Sequence, residues 1–220
     1  SGQESFCANI VPMQVALYRK YRPQSFKEVL GQEHIVSVLE SEAKNKKFAH
    51  AYLFSGSRGT GKTTIARIFA KAIGVNPEDI YEIDAASNRG IDDIRAIRDA
   101  VNVLPYSSTH KVYIVDEAHM LTRDAWNAFL KTLEEPPEHV IFVMATTEMH
   151  KLPDTVVSRC ESFVFKKPSH TVLSETILKV AESEGYKLEK KSASLIAQLA
   201  EGSFRDGLSI LQKAINSSID

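Results

Sequence analysis

The sequence predicts an α/β fold: a five-stranded parallel sheet with helices on both faces, followed by a small three-helix unit. Three observations carry that expectation. Short apolar runs alternate with helical periodicities from Ala51 to Phe165, the pattern of strands joined by crossover helices. A glycine loop, Gly-Ser-Arg-Gly-Thr-Gly-Lys-Thr from Gly56 to Thr63, separates the first run from the first long helix. Beyond Lys166-Lys167-Pro168 the strand pattern stops and only helical spacing remains.

The elements follow in order. Tyr18 to Pro23 reads as a basic, aromatic, extended lead-in. Ser25 to Leu30 and His34 to Ala43 read as helices, the second with Val36, Leu39 and Ala43 on an apolar stripe. Ala51 to Ser55 is a buried strand, and Ile65, Ile68, Phe69 and Ile73 recur at helical spacing behind the glycine loop. Ile80 to Asp84 is the second strand. Ile91 to Leu104 is helical, with Ile91, Ile94, Ile97, Val101 and Leu104 three and four residues apart. Val112 to Val115 is the third strand. Asp124 to Glu135 is a helix whose Trp126, Phe129, Leu130 and Leu133 are best read as core, and Pro136-Pro137 stops it. Val140 to Ala145 and Ser162 to Phe165 complete the sheet. Three helices then fit Thr171 to Gly185, Glu189 to Glu201 and Ser203 to Ser217, with Gly185 and Gly202 at their stops and Leu195, Ile196 and Leu199 among the periodic apolar residues.

The bulk composition excludes several classes. The chain has 220 residues, 43% hydrophobic and 25% charged, with a formal net charge of −1. That suits one large or two small globular units, and any nucleic-acid contact must come from a local basic face. Two cysteines, Cys7 and Cys160, show no metal-ligand spacing, so a reducing, cytoplasmic setting is expected. No apolar run is long enough to span a membrane. Ser1 to Pro12 lacks the pattern of a signal peptide and is expected to be a cloning remnant ahead of Met13. Ile219-Asp220 ends without an obvious cap or tail, which fits a truncated chain.

The chemistry centres on the glycine loop, which fits the phosphate-loop pattern G-x-x-x-x-G-K-[ST]. Gly56, Ser57, Arg58, Gly59, Thr60, Gly61, Lys62, Thr63 and Thr64 are the expected nucleotide contacts. Glycines let the backbone approach phosphates, and unpaired first-turn N–H groups point at them. Lys62 would reach the β- and γ-phosphates, and the Thr63 hydroxyl would hold Mg²⁺. Lys111 to Val115 ends in Asp116-Glu117, at the strand end that lies beside such a loop. Asp116 can accept from Mg²⁺-bound water. Glu117 can orient and polarise the attacking water, as the general base. For Thr146-Thr147, a γ-phosphate contact and a capped strand end are equally good readings on spacing alone. Spacing does not single out Arg159 or Arg205.

Taken together, these motifs identify a resemblance. Leu17 to Pro23 (Leu-Tyr-Arg-Lys-Tyr-Arg-Pro), Gly31-Gln32-Glu33-His34, the phosphate loop, Glu82 to Asn88, Val115 to Leu121 (Val-Asp-Glu-Ala-His-Met-Leu), Leu130 to Pro137, Ala145-Thr146-Thr147, Ser158-Arg159-Cys160 and Gly202 to Asp206 match, in order and spacing, the gamma/tau subunits of bacterial DNA polymerase III. These are AAA+ ATPases of the replicative clamp loader, and the resemblance runs from Met13 to the end. It implies an AAA+ P-loop ATPase domain over 13–167 and a helical lid over 168–220, with the family's third, collar domain missing. It implies ATP and Mg²⁺ as cofactors, with Thr147 as the γ-phosphate sensor and Arg205 as a second sensor acting on the ATP of its own chain. Arg159 would be an arginine finger acting in trans on a neighbour's ATP. Tyr21, Arg22 and Pro23 would form part of the adenine wall. The implied partners are other clamp-loader subunits (delta and delta-prime), the sliding clamp and primer–template DNA. A ring would form only with the collar.

One departure stands out. The family's four-cysteine zinc module is replaced by the short Ile73 to Asp79 stretch, so no zinc is expected. In that respect the chain is similar to replication factor C small subunits. Arg89, Arg95 and Arg98 follow Asn88 at spacings that share one broad helix face, which in the family faces DNA at the centre of the ring. For the isolated chain, salt bridges to Asp92, Asp93 and Asp99 on a solvated face are the better reading. The rival functions are another AAA+ ATPase of recombination or repair, such as a Holliday-junction motor, and a non-catalytic delta-prime-like scaffold. The scaffold keeps Ser-Arg-Cys but has lost the phosphate loop, which is intact here.

Overall fold

The computed structural model describes residues 15–88 and 90–217. The segment read as a cloning remnant, Cys7, Met13 and Arg89 all lie outside them. Five strands form one sheet: β1 (Ala51–Ser55), β2 (Ile80–Asp84), β3 (Lys111–Asp116), β4 (Val140–Thr146) and β5 (Glu161–Val164). Their order is β2-β3-β4-β1-β5, and every pairing is parallel. Alternate residues of the inner strands serve two cores, as the two-residue period of a strand dictates. Val112 and Ile114 of β3, with Ile141 and Val143 of β4, pack on one face against α2 (Glu33–Asn45) and α3 (Lys62–Ala72). Tyr113, Phe142 and Met144 pack on the other against α4 (Ile91–Val101) and α5 (Arg123–Glu134). The Trp126, Phe129 and Leu133 stripe of α5 is core.

The short helix α6 (Asp154–Val157) leads into β5. Three longer helices follow: α7 (His170–Ser183), α8 (Lys190–Leu199) and α9 (Phe204–Asn216). They share a separate apolar cluster of Leu173, Ile177, Ile196, Leu208, Leu211 and Ile215. Leu17 belongs to that cluster although it lies over 150 residues away in sequence, and this corrects the reading of the lead-in. Leu17–Lys20 is one helical turn, α1, not an extended segment. The Leu17 N–H donates to Gln212 Oε1 of α9 at 3.0 Å, and the buried Leu17 side chain anchors the turn.

Two other expectations shift for local reasons. The helix expected over Ser25 to Leu30 is a single 3₁₀ turn, Phe26–Glu28, whose start is held by Glu28 accepting from Gln24 N–H and Ser25 Oγ. Gly31, at φ +74°, turns the chain before α2. The α4 helix stops at Val101, leaving Leu104 73% exposed; Leu104 precedes Pro105, which disfavours helical backbone at that position. In α8 the expected period holds, and packing fixes its phase. Ala193, Ile196, Ala197 and Ala200 are buried, and Leu195 and Leu199 face outward.

Candidate active site

The parallel register brings three strand ends to one edge of the sheet. Ser55 of β1 pairs with Thr146 of β4, and Val115 of β3 pairs with Met144 of β4. The glycine loop leaves β1, Asp116 ends β3, and Thr146 ends β4 between them. The loop's backbone needs glycine. Gly59 has φ +74°, and a Cβ there would land 2.0 Å from Ser203 Oγ; a Cβ at Gly56 would land 2.6 Å from Phe165 O. Gly61 caps α3 without a side-chain acceptor, and the first turn of α3 carries no acidic residue. Its free N–H groups therefore favour an anion.

Lys62 opens α3 and is only 6% exposed. Its Nζ donates to Gly56 O at 2.7 Å and Ser57 O at 2.9 Å. Burial lowers its pKa, with the nearby Glu117 and Asp116 carboxylates opposing that shift. Thr63 Oγ1 donates to Asp116 Oδ2 at 2.8 Å, and Asp116 Oδ1 accepts from Glu117 N–H at 3.0 Å. Two hard oxygen donors this close suit Mg²⁺, which keeps several waters and takes phosphate oxygens as further ligands. Glu117 has φ +49°, in the left-handed region that non-glycine residues adopt at a cost. The turn sets its side chain beside Asp116 at the mouth of the loop. Thr147 Oγ1 donates to Glu117 Oε2 at 3.2 Å. Thr146 is fully buried and meets His119 instead, so the two threonines do different things.

The other wall of the cleft comes from the C-terminal helices and the lead-in. Phe204 N–H donates to Gly59 O at 3.1 Å, so the first turn of α9 rests on the phosphate loop. Arg205 follows, its guanidinium 5.5 Å from the centre of the Tyr18 ring. Arg58, Gly59, Thr60, Gly61, Lys62, Thr63, Thr64, Asp116, Glu117, Tyr21, Arg22, Pro23 and Arg205 all line one cleft. Burial and the neighbouring Arg67 and Arg205 cations lower the Arg22 pKa. The Tyr21 hydroxyl donates to Glu184, tying the lead-in to α7. Tyr18, Val29, Leu30, Thr176 and Leu208 also line the cleft. Sequence reasoning did not assign them, because residues scattered along the chain carry no local signal of a shared wall.

Of the expected residues, Gly56, Ser57 and Thr147 are not among those lining the cleft, and two further groups lie elsewhere. Arg159 is not among the residues lining the cleft. It donates to Glu134 Oε1 at 2.6 Å and to Thr155 O at 2.5 Å. Arg95 pairs with Asp92 at 3.1 Å and Arg98 with Asp99 at 3.3 Å, on exposed positions of α4. Asp93 instead accepts from Gly90 N–H.

A phosphate loop, two strand-end carboxylates and a helical wall bearing an arginine, set on this parallel sheet, define the class: an AAA+ P-loop fold. Comparison with known proteins narrows it. The family described as "DNA polymerase III, delta subunit" matches residues 31–88 and 74–169, and "DNA polymerase III clamp loader subunit, ATPase lid domain" matches residues 173–219. The chain is 49% identical to Bacillus subtilis DNA polymerase III subunit tau over 93% of its length and 40% of that protein's. It is 42% identical to the Escherichia coli tau subunit over 91% of this chain and 34% of that one. It therefore spans well under half the length of these relatives. Among solved structures, the Thermotoga maritima RuvB branch migration motor superposes with TM-score 0.74 at 24% identity, covering 89% of this chain and 65% of that one. This likeness is one of fold. A T. maritima DNA polymerase III gamma subunit-related protein matches at TM-score 0.57 and 26% identity, over 78% of this chain and 69% of that chain. The chain belongs to the DNA polymerase III gamma/tau clamp-loader family. The recombination-motor alternative is not favoured.

Proposed function

We propose that this chain binds Mg·ATP in the cleft between the phosphate loop and α9 and hydrolyses it as a motor subunit of the polymerase III clamp loader. The observation that carries the reading is the meeting of Lys62, Thr63, Asp116 and Glu117 at one strand edge, with Arg205 opposite. Lys62 exchanges its two loop carbonyls for phosphate oxygens, which offers a buried cation a stronger, charged partner. Thr63 and Asp116 would hold the Mg²⁺, which would supply positive charge against the phosphates. Glu117 orients the attacking water, Thr147 reads the γ-phosphate, and Arg205 closes the cleft in cis. Tyr21, Arg22 and Pro23 flank the adenine.

Arg159, outside the residues that line this cleft, acts in trans on a neighbour's nucleotide. The units are an ATPase body over 13–167 and a lid over 168–220. Assembly with delta and delta-prime subunits, through a collar beyond the lid, loads a sliding clamp onto primer–template DNA in the cytoplasm. Arg95 and Arg98 face that DNA and exchange their carboxylate partners for phosphates; Arg89, outside the described residues, belongs to the same expectation. Zinc plays no part. The test is calorimetric titration with ATP and Mg²⁺. Wild type binds, and Lys62→Ala loses about 10- to 100-fold in affinity, as expected for removing hydrogen bonds to a charged group. Equal affinities would sink the site assignment.

A further inference from the structure

His119 follows Glu117 by two residues, on a 3₁₀ turn (Ala118–Met120). Its side chain is 7% exposed, and both ring nitrogens face oxygen atoms. Nδ1 lies 3.0 Å from Thr146 Oγ1 and 3.5 Å from Glu117 Oε2. Nε2 lies 3.3 Å from Glu148 Oε1. Glu148 in turn holds Lys151 Nζ at 2.8 Å, and its N–H donates to Thr146 Oγ1 at 3.0 Å. A buried imidazole needs partners to offset its desolvation. It does not need two separate carboxylates on different elements.

Among the described residues, the hydrogen bonds and ion pairs to the Glu117 carboxylate come from Thr147 and His119. Thr147 has one hydroxyl. When that hydroxyl turns to a γ-phosphate, His119 remains to aim Glu117. The same ring grips Glu148, at the start of the 146–151 segment that runs into α6, whose Thr155 carbonyl accepts from Arg159. We propose that His119 is a positioning residue: it ties the Glu117 carboxylate to the segment leading to Arg159, and so couples the aim of the base to the position of that segment. Such coupling travels through contiguous contacts, and here they run Glu117, His119, Glu148, then α6. The inference rests on the ATPase reading.

The experiment measures Mg·ATP affinity of the chain, and steady-state hydrolysis in a reconstituted loader, for wild type and for His119→Ala, His119→Asn, Glu148→Ala, and His119→Ala with Glu148→Ala. The His119→Ala change lowers kcat about 10- to 100-fold, the scale of a misplaced catalytic group, while affinity stays within about twofold by the same reasoning. The Asn variant, which keeps a polar group near Nδ1, folds with the wild-type melting profile and recovers part of the loss. Glu148→Ala gives a smaller loss, and the double variant is no slower than His119→Ala alone, because the two residues act as one unit. Unchanged kcat, a loss in affinity matching the loss in kcat, or multiplied losses in the double variant overturn the proposal. Wild type that fails to bind ATP would strike the ATPase reading; normal wild-type binding with unaltered His119→Ala turnover strikes this inference alone.

Discussion

Lys62 and Arg159 are both cations suited to phosphate, and the structure surrounds them in opposite ways. Lys62 is buried, and two backbone carbonyls of its own loop hold it. Arg159 is partly exposed on another face, held by the Glu134 carboxylate and a helix carbonyl. The first arrangement holds the ammonium at the cleft on two carbonyls, partners that it can exchange for an anion that enters. The second is a surface ion pair, weak in water and free to be exchanged for a stronger anion brought by another molecule. On the proposed reading, the contrast separates binding, which one chain would complete, from turnover, which would need a neighbour's Arg159.

The sharpest way to break that comparison is Arg159→Ala. Monomer affinity for Mg·ATP should be unchanged, and hydrolysis in a reconstituted loader should fall on the order of 10³-fold or more, as for arginine fingers supplied in trans. An affinity loss in the monomer would place Arg159 in its own cleft and end the division drawn here. Arg205→Ala tests the other half. Arg205 lines the cleft and stacks on Tyr18, so its removal should weaken monomer binding by roughly 10-fold, about the value of one charge-assisted contact. Titration calorimetry on the isolated chain reads this directly, and unaltered affinity would remove Arg205 from the cis site. The smallest effect belongs to Glu134→Gln. The side chains of its ion pair with Arg159 are 33% and 49% exposed, so thermal unfolding should change by less than about 1 kcal/mol. A larger loss of stability would mean that the pair is a structural clamp and not an exchangeable partner for Arg159.

Much of the site was legible in the sequence because its parts are local. The phosphate loop declares itself in eight consecutive residues, and β3 ends in adjacent carboxylates. A strand end followed by Thr-Thr could be seen, though not which threonine would face Glu117. That was decided by the turn after β4, which points Thr147 at Glu117 and buries Thr146 against His119. The phase of α8 was not legible either, since its apolar residues fit more than one face and only packing against α7 and α9 selected Ala193 and Ile196.

By itself the sequence determined the order of strands and helices, the phosphate loop, and the identity of the residues at its mouth. Periodicity and glycine spacing are properties of neighbouring residues, and backbone sterics act on them directly. Tertiary structure alone decided that Leu17 joins the helical cluster, that Tyr18 faces Arg205, and that His119 lies between two carboxylates. Each of these contacts joins residues that no local pattern relates. They form only when the parallel register sets the strand ends side by side and α9 closes on Gly59.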